Sequence, residues 1–266
     1  ADPCACENLR LHARRDTAVK THKMTEVRPA PTRCAVCPVR EKALFQVVND
    51  EYLHEAESRR TGQYKLSARG HLFEEGAPAT MAYTLFSGWL MLYRSDCDGA
   101  RQGLRVALPG DFVGYAALTD GLYGHGAMAI TDAVVCGFRQ ADLHAMLDRD
   151  AKMARHITGI QARYLATCES KVLGLGRKSA EQRIAHLIAE LFYRLEPRAD
   201  GDKQRSHNMP FPLTQEMLGE LTGLTPVHTN RVLRRLRADG VMVCERQRIE
   251  ILDLARLLRI GDFSEN

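Results

Sequence analysis

The chain lacks the features that would place it in a membrane or outside the cell. No apolar run in its 266 residues approaches the roughly 20 residues that a membrane-spanning helix requires. Residues 1–10 contain no apolar core of the kind that a secretory signal needs. In a chain of this length and character, clustered cysteines more often bind metal or serve redox chemistry than form disulfides. We therefore expect a cytoplasmic protein that does not bind membranes.

Signatures of catalysis are missing as well. The sequence contains no recognisable Ser/His/Asp set, no HExxH pair and no phosphate-binding loop. Its carboxylates are scattered along the chain in the way that charges on solvated helix faces are scattered. We therefore expect that the protein is not an enzyme.

The excess of positive charge is small overall but is concentrated locally. The formal net charge is only +4, and the chain has no polybasic tail. Affinity for an anionic partner must therefore come from a local patch. The residues that supply this patch are Arg231, Arg234, Arg235, Arg237, Arg246 and Arg248.

Residues 213–240, which include most of this patch, predict a helix-turn-helix, the motif that places a helix in the major groove of DNA. Thr214 is a good N-cap for a first helix, and Gly223 permits a sharp turn after it. Thr225 then caps a second helix, with Pro226 at the first position, where no amide partner is needed. An amphipathic hairpin with a solvated cationic face is the alternative, which the joint occurrence of these signals disfavours.

The second helix of this motif has an apolar face and a polar face. Val232, Leu233 and Leu236 form the inward stripe, and residues 241–252 alternate like the hairpin of a wing. We expect contacts to bases from the outward face and contacts to phosphates from flanking residues. The predicted DNA-facing residues are Val227, His228, Asn230 and Arg231, and the predicted phosphate contacts are Thr214, Gln215, Arg234, Arg235 and Arg248.

Upstream, the pattern predicts a β-rich domain followed by long helices. Short apolar runs with glycine between residues 62 and 138 predict a compact β-barrel or roll. Residues 140–176 predict one continuous helix with a narrow apolar seam, which indicates pairing with a second copy of the chain. A connector packed on its own β-domain is the alternative. The predicted dimer contacts are Ile157, Ile160, Tyr164 and Cys168, in a seam that also contains Met153, Val172 and Leu175.

The order of these elements resembles the CRP/FNR superfamily of bacterial transcription regulators over about residues 34–260. The residues that carry the resemblance are 70–76, 108–114, 178–184 and the helix-turn-helix. It implies an α+β fold with four parts, and a homodimer that binds a pseudo-palindromic site on double-stranded DNA and contacts RNA polymerase. The parts are a cysteine-containing segment (1–48), a cupin-like β-roll sensor domain (49–148), a dimerisation helix (149–177) and a winged helix-turn-helix (178–266).

The superfamily divides by what the β-roll senses. Cyclic-nucleotide members hold the ribose and the cyclic phosphate with a Gly-Glu pair and an Arg-Ser/Thr pair. The matching stretch of this chain, residues 112–129, contains neither an arginine for the phosphate nor a glutamate for a ribose hydroxyl. We therefore expect that cyclic nucleotides are not its ligands.

The FNR branch instead carries an N-terminal cysteine cluster and one distant cysteine. Cys34 and Cys37 match the C-x2-C start of that cluster, and Cys136 matches the distant ligand. The resemblance therefore implies a [4Fe–4S] cluster on these thiolates, with oxygen or redox state as the signal. Oxidation of such a cluster removes a clamp between the N-terminal segment and the β-roll.

The match supplies three cysteine ligands and leaves the fourth open. Relatives carry a third N-terminal cysteine where residues 41–46 of this chain contain none. Cys4 or Cys6 could fold back to supply the ligand, and Cys97, at an expected hairpin tip, ranks below them. A non-cysteine ligand and the absence of any cluster also remain open.

Other uses of these residues are alternatives to a cluster. A dithiol switch between Cys34 and Cys37 is the main one, and a regulator without any ligand is another. Cys136 could simply be a small buried hydrophobe. A haem held by His125 is a remote possibility, since a lone histidine between glycines is usually a loop residue. Cys168 could pack against its twin or crosslink to it.

The recognition helix departs from the usual family pattern, in which a glutamate is followed by an arginine four positions later. Val227 occupies the first position and Arg231 the second. Arg231 can bind guanine O6 and N7, and Asn230 can bind adenine or a phosphate. Val227 cannot accept a hydrogen bond from cytosine but can contact a thymine methyl. We therefore predict a half-site that differs from the TTGA type.

Overall fold

The computed structural model describes residues 24–27, 32–47, 50–115, 121–195 and 207–264. The chain divides into two compact units, residues 1–102 with 109–146 and residues 103–108 with 147–266. Within the described ranges, no helix is both long enough and apolar enough to cross a membrane.

The first unit contains two antiparallel sheets. Their strands are β1 (Thr25–Glu26), β2 (Arg60–Leu66), β3 (His71–Phe73), β4 (Met81–Ser87), β5 (Leu90–Ser95), β6 (Arg101–Ala107), β7 (Phe112–Val113), β8 (Gly126–Ala129) and β9 (Ala133–Arg139). One sheet has the order β1-β2-β9-β4-β7, and the other has the order β3-β8-β5-β6. The last residues of β6 belong to the second unit. The β-roll predicted from the short apolar runs is confirmed.

Two helices and three short turns complete the first unit. The helices are α1 (Asp50–Ser58) and α2 (Gln140–Leu147), and the 3-10 turns are Cys34–Val36, Arg40–Lys42 and Leu44–Val47. The sequence predicts a short helix through Leu44, Val47 and Val48 after the cysteine pair; Leu44 and Val47 instead lie in a 3-10 turn, and Val48 lies outside the described residues. Cys37 precedes Pro38 and adopts an extended conformation, with φ −72 and ψ 122. A residue before proline is pushed out of the helical region, so no α-helix can run through this point.

The second unit is mainly helical. Its elements are α3 (Ala151–Arg177), α4 (Ala180–Leu195), β10 (Asn208–Pro210), α5 (Gln215–Thr222), α6 (Pro226–Ala238), β11 (Met242–Glu245), β12 (Arg248–Ile251) and α7 (Leu254–Gly261). α4 packs against α5, α6 and α7, and its side chains Ile184, Ile188 and Phe192 are fully buried. The three short strands form a sheet in the order β10-β12-β11. The predicted α+β fold with a winged helix-turn-helix is confirmed.

The continuous helix predicted over residues 140–176 is interrupted. α2 ends at Leu147, and α3 begins after Asp150, whose side chain accepts hydrogen bonds from the backbone amides of Lys152 (2.8 Å) and Met153 (3.2 Å). Asp150 is extended and acts as an N-cap, so it satisfies amides that have no partner inside the helix. Apolar residues spaced by three and four continue across the break, so the sequence pattern did not reveal it.

Candidate nucleic-acid interface and cysteine site

The two helices of the helix-turn-helix begin and end where the sequence indicates. Thr214 Oγ1 accepts a hydrogen bond from the amide of Met217, and Thr225 Oγ1 accepts one from the amide of His228, both at 3.2 Å. Gly223 lies between the helices in the left-handed region, with φ 65 and ψ 42, where a side chain would be strained. These local signals fix the start of α6, and thereby which of its side chains point outward.

The inward face of α6 holds the helix against its neighbours. Val232 and Leu236 are buried as predicted, and Leu233 is half-buried. Thr229 is also fully buried, although the sequence did not single it out. Because residues spaced by three and four share one side of a helix, the side chains between these positions must face outward.

The outward face of α6 carries the predicted base-reading residues. Val227 is 72% exposed, and His228 and Arg231 are exposed as well. Asn230 is half-buried, and its Nδ2 donates a hydrogen bond of 3.0 Å to Oε1 of Gln215 at the start of α5. The structure therefore brings Asn230 and Gln215 together beside the exposed residues of α6.

The arginines of this region fall into two groups. Arg231 and Arg234 are exposed, and they form no hydrogen bond or ion pair with any residue that the structure describes. Arg237 is ion-paired with Glu245 at 3.0 Å, and Arg235 lies 3.8 Å from a carboxylate oxygen of Glu181. The charges of Arg231 and Arg234 are thus the more available to an external anion.

The wing is a hairpin of β11 and β12. Arg246 and Gln247 form its tip, both in the left-handed region with φ 50 and φ 61. Arg248 Nε donates to Oδ1 of Asn208 on β10 at 2.8 Å, so this predicted phosphate contact is held by the protein itself. The strand β10 was not predicted, since it has only three residues and no alternating pattern.

The cysteine site lies on the first sheet. Cys136 is buried on β9 and is paired in register with Gln63 on β2. Nε2 of Gln63 donates to Cys136 Sγ at 3.4 Å, while Oε1 of Gln63 accepts from the amide of Thr32 at 3.0 Å. The backbone oxygen of Gln63 also accepts from the amide of Val27 at 2.9 Å. One buried glutamine thus joins Cys136 to the chain that leads into the C-x2-C pair.

Arg60, three residues earlier on β2, reaches the same segment. Its Nη1 donates to the carbonyl oxygen of Thr32 at 2.6 Å and lies 3.8 Å from Cys34 Sγ. Its Nη2 lies 3.8 Å from a carboxylate oxygen of Glu57 on α1, and the arginine side chain is only 7% exposed. The sequence does not single out Arg60 or Gln63, because their role depends on strand pairing and leaves no local motif.

The surroundings of Cys34 and Cys136 raise the pKa of both thiols. Burial raises the pKa of Cys34 to about 11, an effect that the charge of Arg60 opposes and that of Glu57 reinforces. Burial also raises the pKa of Cys136, and the hydrogen bond from Gln63 and the charge of Arg60 oppose this. The thiols of Cys37 and Cys136 add to the rise in the pKa of Cys34. The structure therefore places Cys34 beside Arg60 and Cys136 beside Gln63, and both Arg60 and Gln63 bond the backbone of Thr32.

The donor set fits a thiolate-bound group in part. Cys34 Sγ lies 3.8 Å from a guanidinium nitrogen of Arg60 and Cys136 Sγ accepts from the amide of Gln63, and N–H donors to sulfur are typical of iron–sulfur sites. No three His, Cys, Asp or Glu side chains in the described ranges are placed at the spacing needed to hold one ion. Cys4 and Cys6 lie outside the described residues, so a fourth ligand from them has no observed position.

The other cysteines lie elsewhere. Cys97 is exposed between β5 and β6, as expected for a hairpin tip. Cys168 on α3 and Cys244 on β11 are half-buried, and none of the three forms a disulfide within the described part of the chain. Burial raises the pKa of Cys244, as it does for a thiol in a packed strand.

The interior of the β-roll contains a cluster of aromatic rings. Phe73 stacks on Tyr123 with ring centroids 4.1 Å apart, stacks on Tyr83 at 6.3 Å, and meets the edge of His125 at 5.8 Å. Gly114 approaches the same rings, since a Cβ there would lie 3.0 Å from Phe73. His125, the residue considered as a haem ligand, is thus part of an aromatic packing cluster.

Comparisons with known proteins agree with this architecture. A cyclic nucleotide-binding domain model matches residues 64–150, and a Crp-like helix-turn-helix domain model matches residues 182–260. The transcriptional activator protein FnrL of Cereibacter sphaeroides is 30% identical over 88% of this chain and 94% of its own length. The anaerobic regulatory protein of Pasteurella multocida is 24% identical over 86% of this chain and 82% of its own. The solved structure of FixK2 from Bradyrhizobium japonicum is 25% identical, covers 77% of this chain and 99% of that one, and superposes with a TM-score of 0.69.

Proposed function

Because the chain belongs to the CRP/FNR family of transcription regulators, we propose that it is a cytoplasmic homodimer that binds a pseudo-palindromic DNA site and responds to oxygen or redox state. The family and the fold are those of DNA-binding regulators and not of enzymes. The observation that carries the proposal is the outward face of α6, where Arg231 and Arg234 are exposed beside Val227. RNA polymerase is the partner that a regulator of this family is expected to contact.

We propose a division of work among the residues of this face. Arg231 donates to guanine O6 and N7, and Val227 contacts a thymine methyl. Asn230, already bonded to Gln215, reads an adenine or contacts a phosphate, and His228 borders the same groove. Phosphate contacts from Thr214, Gln215, Arg234, Arg235 and Arg248 then set the orientation of the helix.

Selection from a pool of random duplexes tests this assignment. We expect the chain to enrich a site with two half-sites related by a two-fold axis, each with a guanine that requires Arg231. We also expect the half-site to differ from the TTGA type, since Val227 stands where the family usually has glutamate. Enrichment of a TTGA half-site, or of no sequence at all, would contradict the base-reading assignment.

The dimer is proposed to form through the C-terminal half of α3. Ile157 and Ile160, which the sequence assigned to the interface, are already buried within the single chain. In contrast, Leu165 is 61% exposed and Val172 is 70% exposed. With half-buried Cys168 between them these residues step by three and four, the spacing of a helix-pairing seam. The other predicted contact, Tyr164, is covered by the guanidinium of Arg105, 3.7 Å from its ring centroid.

Sedimentation of a matched pair of variants tests the position of the interface. We expect Val172→Glu to convert a dimer into a monomer, because two carboxylates would face each other in an apolar seam. Ser170→Glu, which adds the same carboxylate at an exposed position on the opposite side of α3, should leave the dimer intact. A native chain that sediments as a monomer, with or without oxygen, would remove the dimer from the proposal.

For the signal, we propose a [4Fe–4S] cluster held by Cys34, Cys37, Cys136 and a fourth ligand from Cys4 or Cys6. When bound, such a cluster would supply an oxygen-sensitive redox group. The N–H donors beside Cys34 and Cys136 support this, and so does the name of a relative, the anaerobic regulatory protein of Pasteurella multocida.

Iron and sulfide analysis of protein purified without air tests the cluster. We expect about four irons and four sulfides per chain, the composition of a cubane cluster. Cys34→Ser, Cys37→Ser and Cys136→Ser should lose most of the iron, whereas Cys97→Ser, Cys168→Ser and Cys244→Ser should retain it. Loss in Cys4→Ser or Cys6→Ser identifies the fourth ligand. A colourless, iron-free protein even after reconstitution would rule the cluster out and leave regulation by thiols or without a ligand.

A further inference from the structure

Two residues of β2 connect the cysteine-bearing segment to the sheet, and the family match assigns a role to neither. We infer that Arg60 and Gln63 are positioning residues that dock residues 32–37 on β2 and β9, so that Cys34 and Cys37 face Cys136 before any metal binds. We call this pair the latch. Docking by the latch is a property of the metal-free chain, while its use in presenting ligands rests on the proposed function.

The burial of Gln63 favours the arrangement in which residues 32–37 are docked on the sheet. Its side chain is 3% exposed, and a buried amide must satisfy both its oxygen and its nitrogen within the protein. The oxygen accepts from the amide of Thr32 and the nitrogen donates to Cys136 Sγ. If residues 32–37 left the sheet, the amide oxygen would lose its bond to Thr32 beside the buried thiol of Cys136. The glutamine therefore favours the state in which Thr32 and Cys136 are close together.

Arg60 adds a second attachment at the same point. Its guanidinium bonds the carbonyl oxygen of Thr32, so both polar groups of the Thr32 backbone are held by the latch. The same nitrogen lies near Cys34 Sγ, while the other terminal nitrogen pairs with Glu57 on α1. A planar guanidinium can direct donors to several acceptors at once, which a lysine ammonium at the end of a flexible chain does less well.

The backbone near this point strengthens the assignment. β1 pairs with β2 through Thr25 and Glu26, and the amide of Val27 bonds the carbonyl of Gln63. The chain is therefore held by β2 both before and at Thr32. The first cysteine of the C-x2-C pair follows only two residues later, so fixing Thr32 limits the positions that Cys34 can reach.

Hydrogen exchange, measured by mass spectrometry on the full-length, reduced and metal-free chain, tests the inference. We expect amides of residues 32–37 to exchange roughly fivefold to tenfold faster in Gln63→Leu and in Arg60→Met, because each change removes hydrogen bonds that close this segment. The matched control is Arg59→Met, since Arg59 pairs with Glu55 and Asp142 instead. Exchange in its residues 32–37 should match that of the native chain.

Conservative variants keep the test decisive if a larger change unfolds the sheet, which would appear as lost protection in β4. Gln63→Glu keeps the acceptor for Thr32 but loses the donor to Cys136. Arg60→Lys keeps the positive charge but loses the planar guanidinium that directs donors to several acceptors. Both should give intermediate exchange. Native-like exchange of residues 32–37 in all four variants would overturn the inference. The iron content tests the cluster separately. If the variants speed up exchange in residues 32–37 but the native chain binds no iron, only the cluster is contradicted. If the native chain binds iron but the variants leave this exchange unchanged, only the inference about the latch is contradicted.

Discussion

Arg231 on α6 and Arg60 on β2 carry the same guanidinium and use it in opposite ways. Arg231 is exposed and has no hydrogen-bonded or ionic partner in the described part of the chain, so its donors remain available to a molecule from outside. Arg60 is nearly buried, and its donors reach a carbonyl, a thiol and a carboxylate of the same chain. The outward face of α6 therefore leaves the charge of Arg231 unpaired, whereas the cysteine site pairs the charge of Arg60 internally.

This difference predicts whether a substitution changes DNA binding or the stability of the protein. An exposed, unpaired arginine contributes little to folding, so its loss should appear in DNA binding and not in stability. A buried arginine that is removed leaves polar groups without partners, so its loss should appear in stability and in the order of the cysteine segment. The following experiments test this contrast, beginning with the largest effect.

Arg60→Met should lower the free energy of unfolding by about 3 kcal/mol, because it leaves the Thr32 carbonyl and the Glu57 carboxylate unpaired in a buried setting. Urea denaturation of the metal-free chain measures this. Arg59→Met, which removes a partly exposed arginine next to it, should change the value by less than about 1 kcal/mol. Equal stability of the two variants would remove the distinction between internally paired and free arginines.

Arg231→Ala should weaken binding to the selected site by about 1–3 kcal/mol while changing the free energy of unfolding by less than about 0.5 kcal/mol. Fluorescence anisotropy with a labelled duplex measures the first quantity, and urea denaturation measures the second. A stability loss as large as that of Arg60→Met would show that Arg231 has an internal structural role.

Val227 can be tested by removing single methyl groups from the DNA. Replacing thymine by uracil at each position of the selected site should weaken binding by about 1 kcal/mol at one position per half-site, roughly the value of one buried methyl group. In Val227→Ala that position should no longer distinguish thymine from uracil. If no thymine position is sensitive in the native chain, Val227 does not read a methyl group.

The smallest effect concerns arginines on the same helix. Arg234→Ala should reduce the slope of log affinity against log salt by about 1, as expected when one phosphate contact is lost. Arg237→Ala should change the slope by less than about half of that, because Arg237 is already paired with Glu245. Equal slopes for the two variants would show that the ion pair opens freely when DNA binds.

The two regions also differ in how much could be predicted from sequence. The helix-turn-helix depends on short-range signals, such as Thr214 and Thr225 as caps and Gly223 as the turn, and these are confirmed. The latch could not be predicted, because Gln63 and Cys136 are 73 residues apart and meet only through the register of β2 and β9. Long-range strand register leaves no periodic pattern in either strand.

Long-range packing also separates the residues of the predicted α3 seam. Periodicity identified an apolar stripe that includes Ile157 and Ile160 as well as Val172. It could not show that the first two are buried within a single chain while the third is exposed. The break at Asp150 was not predicted, because the apolar pattern continues across it. In the structure, the Asp150 side chain caps a new helix at this point, although the apolar pattern favours a continuous one.

At the tip of the wing, an unstrained backbone and an exposed positive charge favour different residues. Arg246 and Gln247 both occupy backbone conformations in which residues with a side chain lose roughly 1 kcal/mol or more each. Asn-Gly is the pair that such a turn favours, and it would relieve this strain. It would also remove an exposed positive charge from the edge of the basic region. A lineage under pressure for heat tolerance would therefore be expected to change this turn early, whereas a lineage under pressure for retention on DNA would keep the strained arginine.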